Sequence, residues 1–425
     1  MSVILTASGP LAGDATWSES IFLNLDVGAQ QDAFGRLRVS EPYELFSKAC
    51  EFDNQPLFYE NVLTGTASQA YSSDTTSTTL TAAAGGDTAI RQSRFYVRYR
   101  PGKSQQVFVT GNFDGQQTDA VKRMGLFDDD TQTQSTGDGI FFEVDSTGIY
   151  AVLRSSASGT STDTRIAQAD WNGDKLDGTG SSEATLDLTK QQVAVFAYGW
   201  LGSAVIQYGF VIGGRIVWCH TIRPSNDFST VFMARPSLPV RWEVSTTGGS
   251  GTIQATCAAV QSEGGFNTNG VQRSVSMGGT GKTTTATTLV PLLTIRLNTT
   301  YSRSNLIPTI FSIVSTGSNP ESYETLVLVN ATLTGATFAA GAASEAVEYD
   351  TAATAITSMG RAIDRQYAAG GGTASKGGGA GDTIATDVPI SCNYAGVRDT
   401  VTLAVRPLGT NSTTFYGSLV WSEFY

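Results

Sequence analysis

Three segments of this 425-residue chain carry residue types at spacings that could do chemistry. The first, MGGTGKTTTA (Met277 to Ala286), sets Gly279, Gly281, Lys282 and Thr283 in the order of a phosphate-binding loop. In such a loop, backbone N–H groups and a lysine cradle phosphates at the mouth of a helix. Here Ser276 stands where the standard eight-residue motif begins with glycine. The following TTTATTLVPLL is a β-branched run ending near Pro291, and both features oppose a helix. The expectation is a turn between strands. The second segment, DWNGDKLDGTG, offers Asp170, Asn172, Asp174 and Asp177 at the alternating spacing that opens a calcium loop. Lys175 occupies the place of the obligatory glycine, and Ser181 that of the closing bidentate glutamate. A loop that bonds its own backbone is expected, with a cation held in some other way as the alternative. The third, LFDDD, groups Asp128, Asp129 and Asp130. Neighbouring carboxylates on an extended chain point to alternate sides, so a solvated loop is expected.

Catalytic constellations are thin. His220 is the only histidine and sits beside Cys219 in IVWCHTI, where strand neighbours face opposite ways. A triad or a thiol–imidazole pair therefore has a single candidate base. A glycosidase needs only two carboxylates. Glu143, Asp145, Glu243 and Glu263 are the candidates, but sequence does not say which of them meet. Trp171, Trp200, Trp218, Trp242 and Trp421 could line a sugar groove, yet core and interface packing is the commoner use of such residues. No catalytic residue, cofactor site or metal site is assigned, and the chain is not expected to be an enzyme.

The elements around these segments read as strands. RFYVRYR alternates aromatic and β-branched residues with arginine, the period of a half-buried strand. QQVFVTGNF, GIFFEVD, GIYAVLRS, QVAVFAYGWL and LPVRWEV follow, separated by turn residues. Gly213-Gly214 joins two apolar runs as a two-residue hairpin. Short strands at regular spacing predict an antiparallel sandwich over residues 31–265. GGFNTNG (Gly264 to Gly270) marks a boundary, and a second β-rich domain is expected over 266–425. The predicted fold class is all-β, two antiparallel sandwich or jelly-roll-like domains with one short helix in the second. That helix is read from Ile356, Met359, Ile363 and Tyr367, which form one apolar stripe, with Asp350 or Thr351 as its cap. Residues 1–30 read as an extended arm, and 368–383 as a glycine-rich loop.

Composition narrows the function classes. Charged residues are 15% and apolar residues 40%, the polarity resting on Thr, Ser, Asn and Gln, as in β-proteins with half-exposed strands. A net charge of −11 lacks the basic footprint of a nucleic-acid binder, so no nucleic-acid partner is expected, although Arg94, Arg98, Arg100 and Lys103 form a local basic group. The N-terminus lacks a basic n-region, and no stretch approaches the ~18–20 apolar residues of a membrane span. Cys50, Cys219, Cys257 and Cys392 are scattered without Cys-x-x-Cys spacing, so neither a zinc site nor a redox pair is signalled.

Five phrases carry a family likeness. DAFGRLRVSEP (Asp32 to Pro42), QSRFYVRYRPGKSQQVFVTG (Gln92 to Gly111), GIFFEVDSTGIYAVLRS (Gly139 to Ser155), DWNGDKLDGTG (Asp170 to Gly180) and VQSEGGF (Val260 to Phe266) together resemble phage virion proteins described as structural, tail-fibre-like or appendage components. GIFFEVDSTGIYAVLRS is also similar to paired strands of concanavalin-like or laminin-G-like sandwiches. The likeness implies a virion structural protein, assembled in the host cytoplasm with free thiols, that builds a tail, neck or fibre appendage. Its implied partners are copies of itself, with a trimer favoured, and other virion proteins. A capsid decoration protein is one alternative, and a host-polysaccharide-binding or depolymerising receptor protein is another. Under this expectation Phe34, Arg36 and Arg38 face an assembly interface, the arginines pairing with acidic neighbours.

Overall fold

The computed structural model describes residues 31–94, 96–129, 137–265, 270–341, 344–370, 379–384 and 390–424. The expected arm over 1–30 lies outside the described residues, as does most of the glycine-rich loop, 371–378. Nearly every described element is a strand, and the sheets are antiparallel throughout. No helix among the described residues is long and apolar enough to cross a membrane.

Two sheets make the first sandwich. One has eight strands, with Gln105–Asn112 and Gly251–Ser262 at its centre and the hairpin Ile206–Ile212 and Arg215–Ile222 at one edge. The other has seven, running from Thr162–Ala167 through Ile149–Ser155, Gly139–Val144, Ala120–Phe127, Val240–Thr246 and Thr88–Ser93 to Tyr59–Thr64. Alternation along the strands sends Met124, Phe142, Val144, Trp242 and Val244 inward to meet Phe196, Tyr208 and Phe210 of the opposing sheet. Phe142 is the hub, stacked on Phe210 at 4.4 Å between ring centroids and tilted against Phe196 at 5.3 Å. Such ring contacts add stability beyond area burial. At the Gly213-Gly214 turn both glycines have positive φ, +57° and +79°, so Ile212 pairs with Arg215 as a two-residue hairpin requires.

The second sandwich packs a five-stranded sheet on a six-stranded one. Thr413–Phe424 lies inside the five-stranded sheet, flanked by Asn305–Thr316 on one side and by Val271–Ser276 and Lys282–Thr284 on the other. The six-stranded sheet runs Ala339–Ala340, Val347–Asp350, Val290–Leu297, Thr400–Pro407, Tyr323–Val329 and Arg361–Ala368. Its core, around Leu292, Leu403, Tyr323, Phe415 and Trp421, is separate from that of the first sandwich.

The expected helix does not form. Ala355–Ser358 and Arg361–Ala368 are strands joined through Gly360 at φ +59°. Tyr323–Val329 is buried along its whole length and takes Arg361–Ala368 as its edge partner, which outweighs any local helical preference. Ile356 and Met359 pack on a small cluster of Leu326, Leu328 and Ala404 instead of forming a helical stripe with Tyr367, which is exposed. Asp350 does cap a turn, accepting from Ala352 N at 3.0 Å and Ala353 N at 3.1 Å, but the chain then runs extended.

Candidate functional site

The sequence motifs resolve into structural uses. In MGGTGKTTTA a turn leads into the strand Lys282–Thr284, and Lys282 Nζ donates to the carbonyls of Pro291 and Ala353, each at 2.6 Å. No helix follows to hold a phosphate, and the lysine is already spent on the backbone. In DWNGDKLDGTG, Asp174 accepts from Leu176 N at 2.9 Å and Ser182 N at 2.7 Å, while Asp177 accepts from Thr179 N at 2.9 Å. Asn172 is clamped to the backbone of Thr221 by both its side-chain atoms. Among the described residues no group of three or more His, Cys, Asp or Glu is arranged to hold a metal ion. His220 Nδ1 accepts from Asn172 N at 3.3 Å, and burial holds its imidazole below the usual range. Burial pushes the adjacent Cys219 thiol far up, and its Sγ donates to Val217 O, so the two side chains form no dyad.

The carboxylates considered for glycosidase chemistry divide. Because Met124, Phe142 and Trp242 face the core, Arg123, Glu143, Glu243 and Arg241 share the opposite face of the seven-stranded sheet. Arg123 bridges Glu143 and Glu243, each at 2.6 Å. Arg165 holds Glu143 at 2.6 Å and Asp145 at 2.5 Å, and Arg241 holds Glu243 at 2.6 Å. Burial raises the proton affinity of Glu243, but Arg241 and Arg123 outweigh it and hold the carboxyl below its ordinary range. A cavity of about 360 Å³ opens on this lattice, lined by Arg123, Asp129, Arg154, Ser161, Asp163 and Glu243. A general acid needs a raised value, and Glu243 has the reverse. Glu263 lies elsewhere, paired with Arg38.

Phe34, Arg36 and Arg38 are tied to their own sandwich. Asp32 accepts from Phe34 N at 2.9 Å and Arg36 N at 2.8 Å, and its carboxylate pairs with the Arg36 guanidinium at 2.6 Å. Arg38 pairs with Glu263 and donates to Gln106 Oε1 at 2.7 Å. The Phe34 ring sits over Gly199 so closely that a Cβ there would come within 2.4 Å of it. Both arginines thus find acidic partners inside this chain, with Arg36 still half exposed.

The least legible feature is the junction between the sandwiches. Asp128, read from sequence as part of a solvated loop, is 1% exposed and pairs with Arg303 of the second sandwich at 2.6 Å. Asp129 accepts from Arg241 at 2.6 Å and from the Tyr394 hydroxyl at 2.9 Å; Asp130 lies outside the described residues. Tyr394 N donates to Glu60 Oε1 at 2.7 Å, Arg94 pairs with Asp399 at 3.2 Å, and Asn305 Nδ2 donates to Tyr96 O at 3.0 Å. Burial pushes Asp128 up to about 6, with Arg303 pulling the other way. Burial likewise pushes Glu60 up to about 7, against the Tyr394 N–H and Arg94.

Beside these bridges lies a pocket of about 390 Å³ between the two domains. Arg98, Arg100 and Arg235 from the first sandwich meet Arg303 from the second, with Tyr96, Tyr99 and Tyr301 among the walls. Arg98 stacks over the Phe424 ring at 4.6 Å, and Arg303 over Tyr96 at 5.3 Å. The one sequence signal for this place is the basic run RFYVRYRPGK, which supplies Tyr96, Arg98, Tyr99 and Arg100.

No protein-family model matches the chain, and no curated protein matches it. Among solved structures it is similar to a Bacillus licheniformis beta-glucanase at 8% identity and a TM-score of 0.34, covering 50% of this chain and 97% of that one. A legume lectin-like domain from Entamoeba histolytica is similar at 10% identity and a TM-score of 0.31, over 52% of this chain and 98% of its own. A protein of unknown function from Shewanella oneidensis MR-1 reaches 8% identity and a TM-score of 0.35, over 59% and 97%. Likeness at this level assigns neither a family nor an activity to this chain.

Proposed function

We propose that this chain is a structural subunit of a phage particle, a rigid pair of β-sandwiches that assembles with copies of itself. The motif likeness supplies the particle; the outward face of the five-stranded sheet carries the assembly. With Phe311, Ile313, Leu419 and Trp421 turned to the core, Ile310, Ser312 and Val314 share the other face with Tyr416, Ser418 and Val420. Ser274 and Ser276 continue that face on the neighbouring strand. No residue named on it is charged, and Ser312 and Ser418 bond each other at 2.8 Å. Ile310 and Val314 are 43% and 41% exposed. Copies of a chain with net charge −11 repel one another. Contact between them falls where the surface carries no charge and some apolar area, because desolvating a charge without a partner is costly.

Light scattering of the purified chain tests this. The expected mass is near three times 44.8 kDa, and an Ile310→Lys, Val314→Lys double variant should fall to the monomer mass. A monomeric parent, or a variant that stays oligomeric, would overturn the assembly reading.

A second reading, attachment to a host-surface glycan, is favoured by the junction pocket, where the half-buried Tyr301 and two prolines stand beside hydrogen-bonding side chains.

A further inference from the structure

We infer that the loop over residues 50–58 is a docking knob for a protein other than a copy of this chain. Its Phe52 ring enters an apolar pocket rimmed by lysine or arginine on that partner. The loop crosses from Tyr43–Ala49 in one sheet of the first sandwich to Tyr59–Thr64 at the edge of the other. Phe52 is 84% exposed, and Pro56 and Leu57 are exposed on the same loop. Single exposed apolar side chains are ordinary on protein surfaces. What sets this one apart is how firmly the backbone beneath it is held.

Arg91 holds the loop from below. Its side chain is fully buried, with the guanidinium 4.4 Å from the centroid of the Tyr59 ring. Nη1 donates to Asn54 Oδ1 at 2.8 Å and Asn61 Oδ1 at 3.1 Å, and Nη2 to Asn54 O at 2.9 Å and Cys50 Sγ at 3.1 Å. All four acceptors are neutral, and three of them belong to the loop. A guanidinium is costly to desolvate, and the shape it fixes accounts for its place under a surface loop. The Tyr71 hydroxyl donates to Cys50 O at 2.8 Å, the Thr78 hydroxyl to Asn54 Oδ1 at 2.6 Å, and Asn54 Nδ2 to Gln69 Oε1 at 3.1 Å. Asp53 Oδ1 accepts from Gln55 N at 2.8 Å, and Phe58 N donates to Gln55 O at 3.0 Å. Residues on both sides of Phe52 are thus fixed before a partner arrives, which lowers the entropy lost on binding. Aromatic side chains that fill a pocket are common anchors of an interface.

The flanks of the knob set its partner. Glu51 and Asp53 are both exposed, and the nearest base along the chain, Lys48, keeps its ammonium over the Phe58 ring at 4.2 Å. Burying Phe52 brings both carboxylates against the rim of the pocket, where a cationic side chain compensates their desolvation. A second copy, with net charge −11, offers the opposite balance.

This inference goes beyond self-assembly and does not rest on it. Calorimetric titration of the full chain with two model hosts reads the knob directly: β-cyclodextrin with an amino rim, and β-cyclodextrin with a carboxylate rim. The amino host should bind saturably, and the carboxylate host about tenfold more weakly or worse. Phe52→Ser should abolish binding of the amino host with the melting temperature unchanged. Tyr367→Ser, which removes another exposed ring, should leave it as it was. Light scattering should give Phe52→Ser the same mass as the parent. The inference is overturned if the amino host does not bind below about 10 mM, if the two hosts bind alike, or if Phe52→Ser keeps full affinity. A Phe52→Ser mass below that of the parent would make a second copy the occupant and overturn it as well.

Discussion

Glu60 shows how one side chain ties stability to pH. Its ordinary carboxyl value is 4.5, and burial at the junction raises it to about 7 in the folded chain. A folded value above the unfolded one means that the folded state holds the proton more tightly. The resulting stabilisation is complete below about 4.5 and is lost as pH rises to about 7. Asp128 behaves alike, between 3.8 and about 6. His220 opposes them, since burial lowers its value and stability then rises through the window just below 6.5. The difference between parent and variant therefore isolates Glu60. Glu60→Gln keeps an oxygen for the Tyr394 N–H and removes the proton. Thermal midpoints measured between about pH 5 and 7.5 should fall less in the variant than in the parent; identical slopes would refute the assignment. None of this was legible in sequence, because Glu60 and Tyr394 lie 334 residues apart. Asp128 was misread for the same reason, since the arginine that buries it comes from another domain.

At the scale of elements, local chemistry was readable and competition was not. Gly213-Gly214 announced its hairpin because two consecutive positive φ angles leave few residues able to serve. The alternation of GIFFEVD likewise gave a strand, Gly139–Val144, whereas RFYVRYR, also read as a strand, keeps only an isolated bridge from Val97 to Leu238. The segment around Ile356 and Tyr367 misled, because an apolar spacing of three and four is compatible with two short strands once a glycine separates them. What decided it was the need of Tyr323–Val329 for an edge partner, a property of a strand elsewhere in the chain. Gly360 is the pivot of that outcome. A Cβ there would lie 2.3 Å from Val329 O and 2.5 Å from Asn330 O, in backbone already at positive φ. Gly360→Ala should cost about 2 kcal/mol or more, read as a lower urea midpoint. An unchanged midpoint would mean that the turn relaxes freely.

For the whole molecule, the junction decides whether two sandwiches behave as one body. Each has its own core, and what joins them is polar: Arg303 with Asp128, Arg94 with Asp399, and Tyr394 with both Glu60 and Asp129. Removing one member of a buried ion pair strands the other. Arg303→Met should lower stability by about 3 kcal/mol and split the calorimetric transition in two. A single transition at the parent temperature would show that the other bridges suffice. The basic run at Arg98 and Arg100 was visible in sequence as a patch, but its pocket exists only because Arg303 and Phe424 approach from the second sandwich.

The strand Thr413–Phe424 lies inside the five-stranded sheet, between Asn305–Thr316 on one side and Val271–Ser276 and Lys282–Thr284 on the other. During synthesis from the N-terminus, the strands of the first sandwich, which end at Ser262, can pair while the second is still unfinished. The second cannot close until its interior strand has emerged, and Tyr394 and Asp399 reach the first sandwich only shortly before that. Emergence of Thr413–Phe424 and closure of the junction are thus nearly the same event. A product that stops before Thr413 would keep a folded front and an open, unclamped back, and is thereby distinguishable from one that carries this strand.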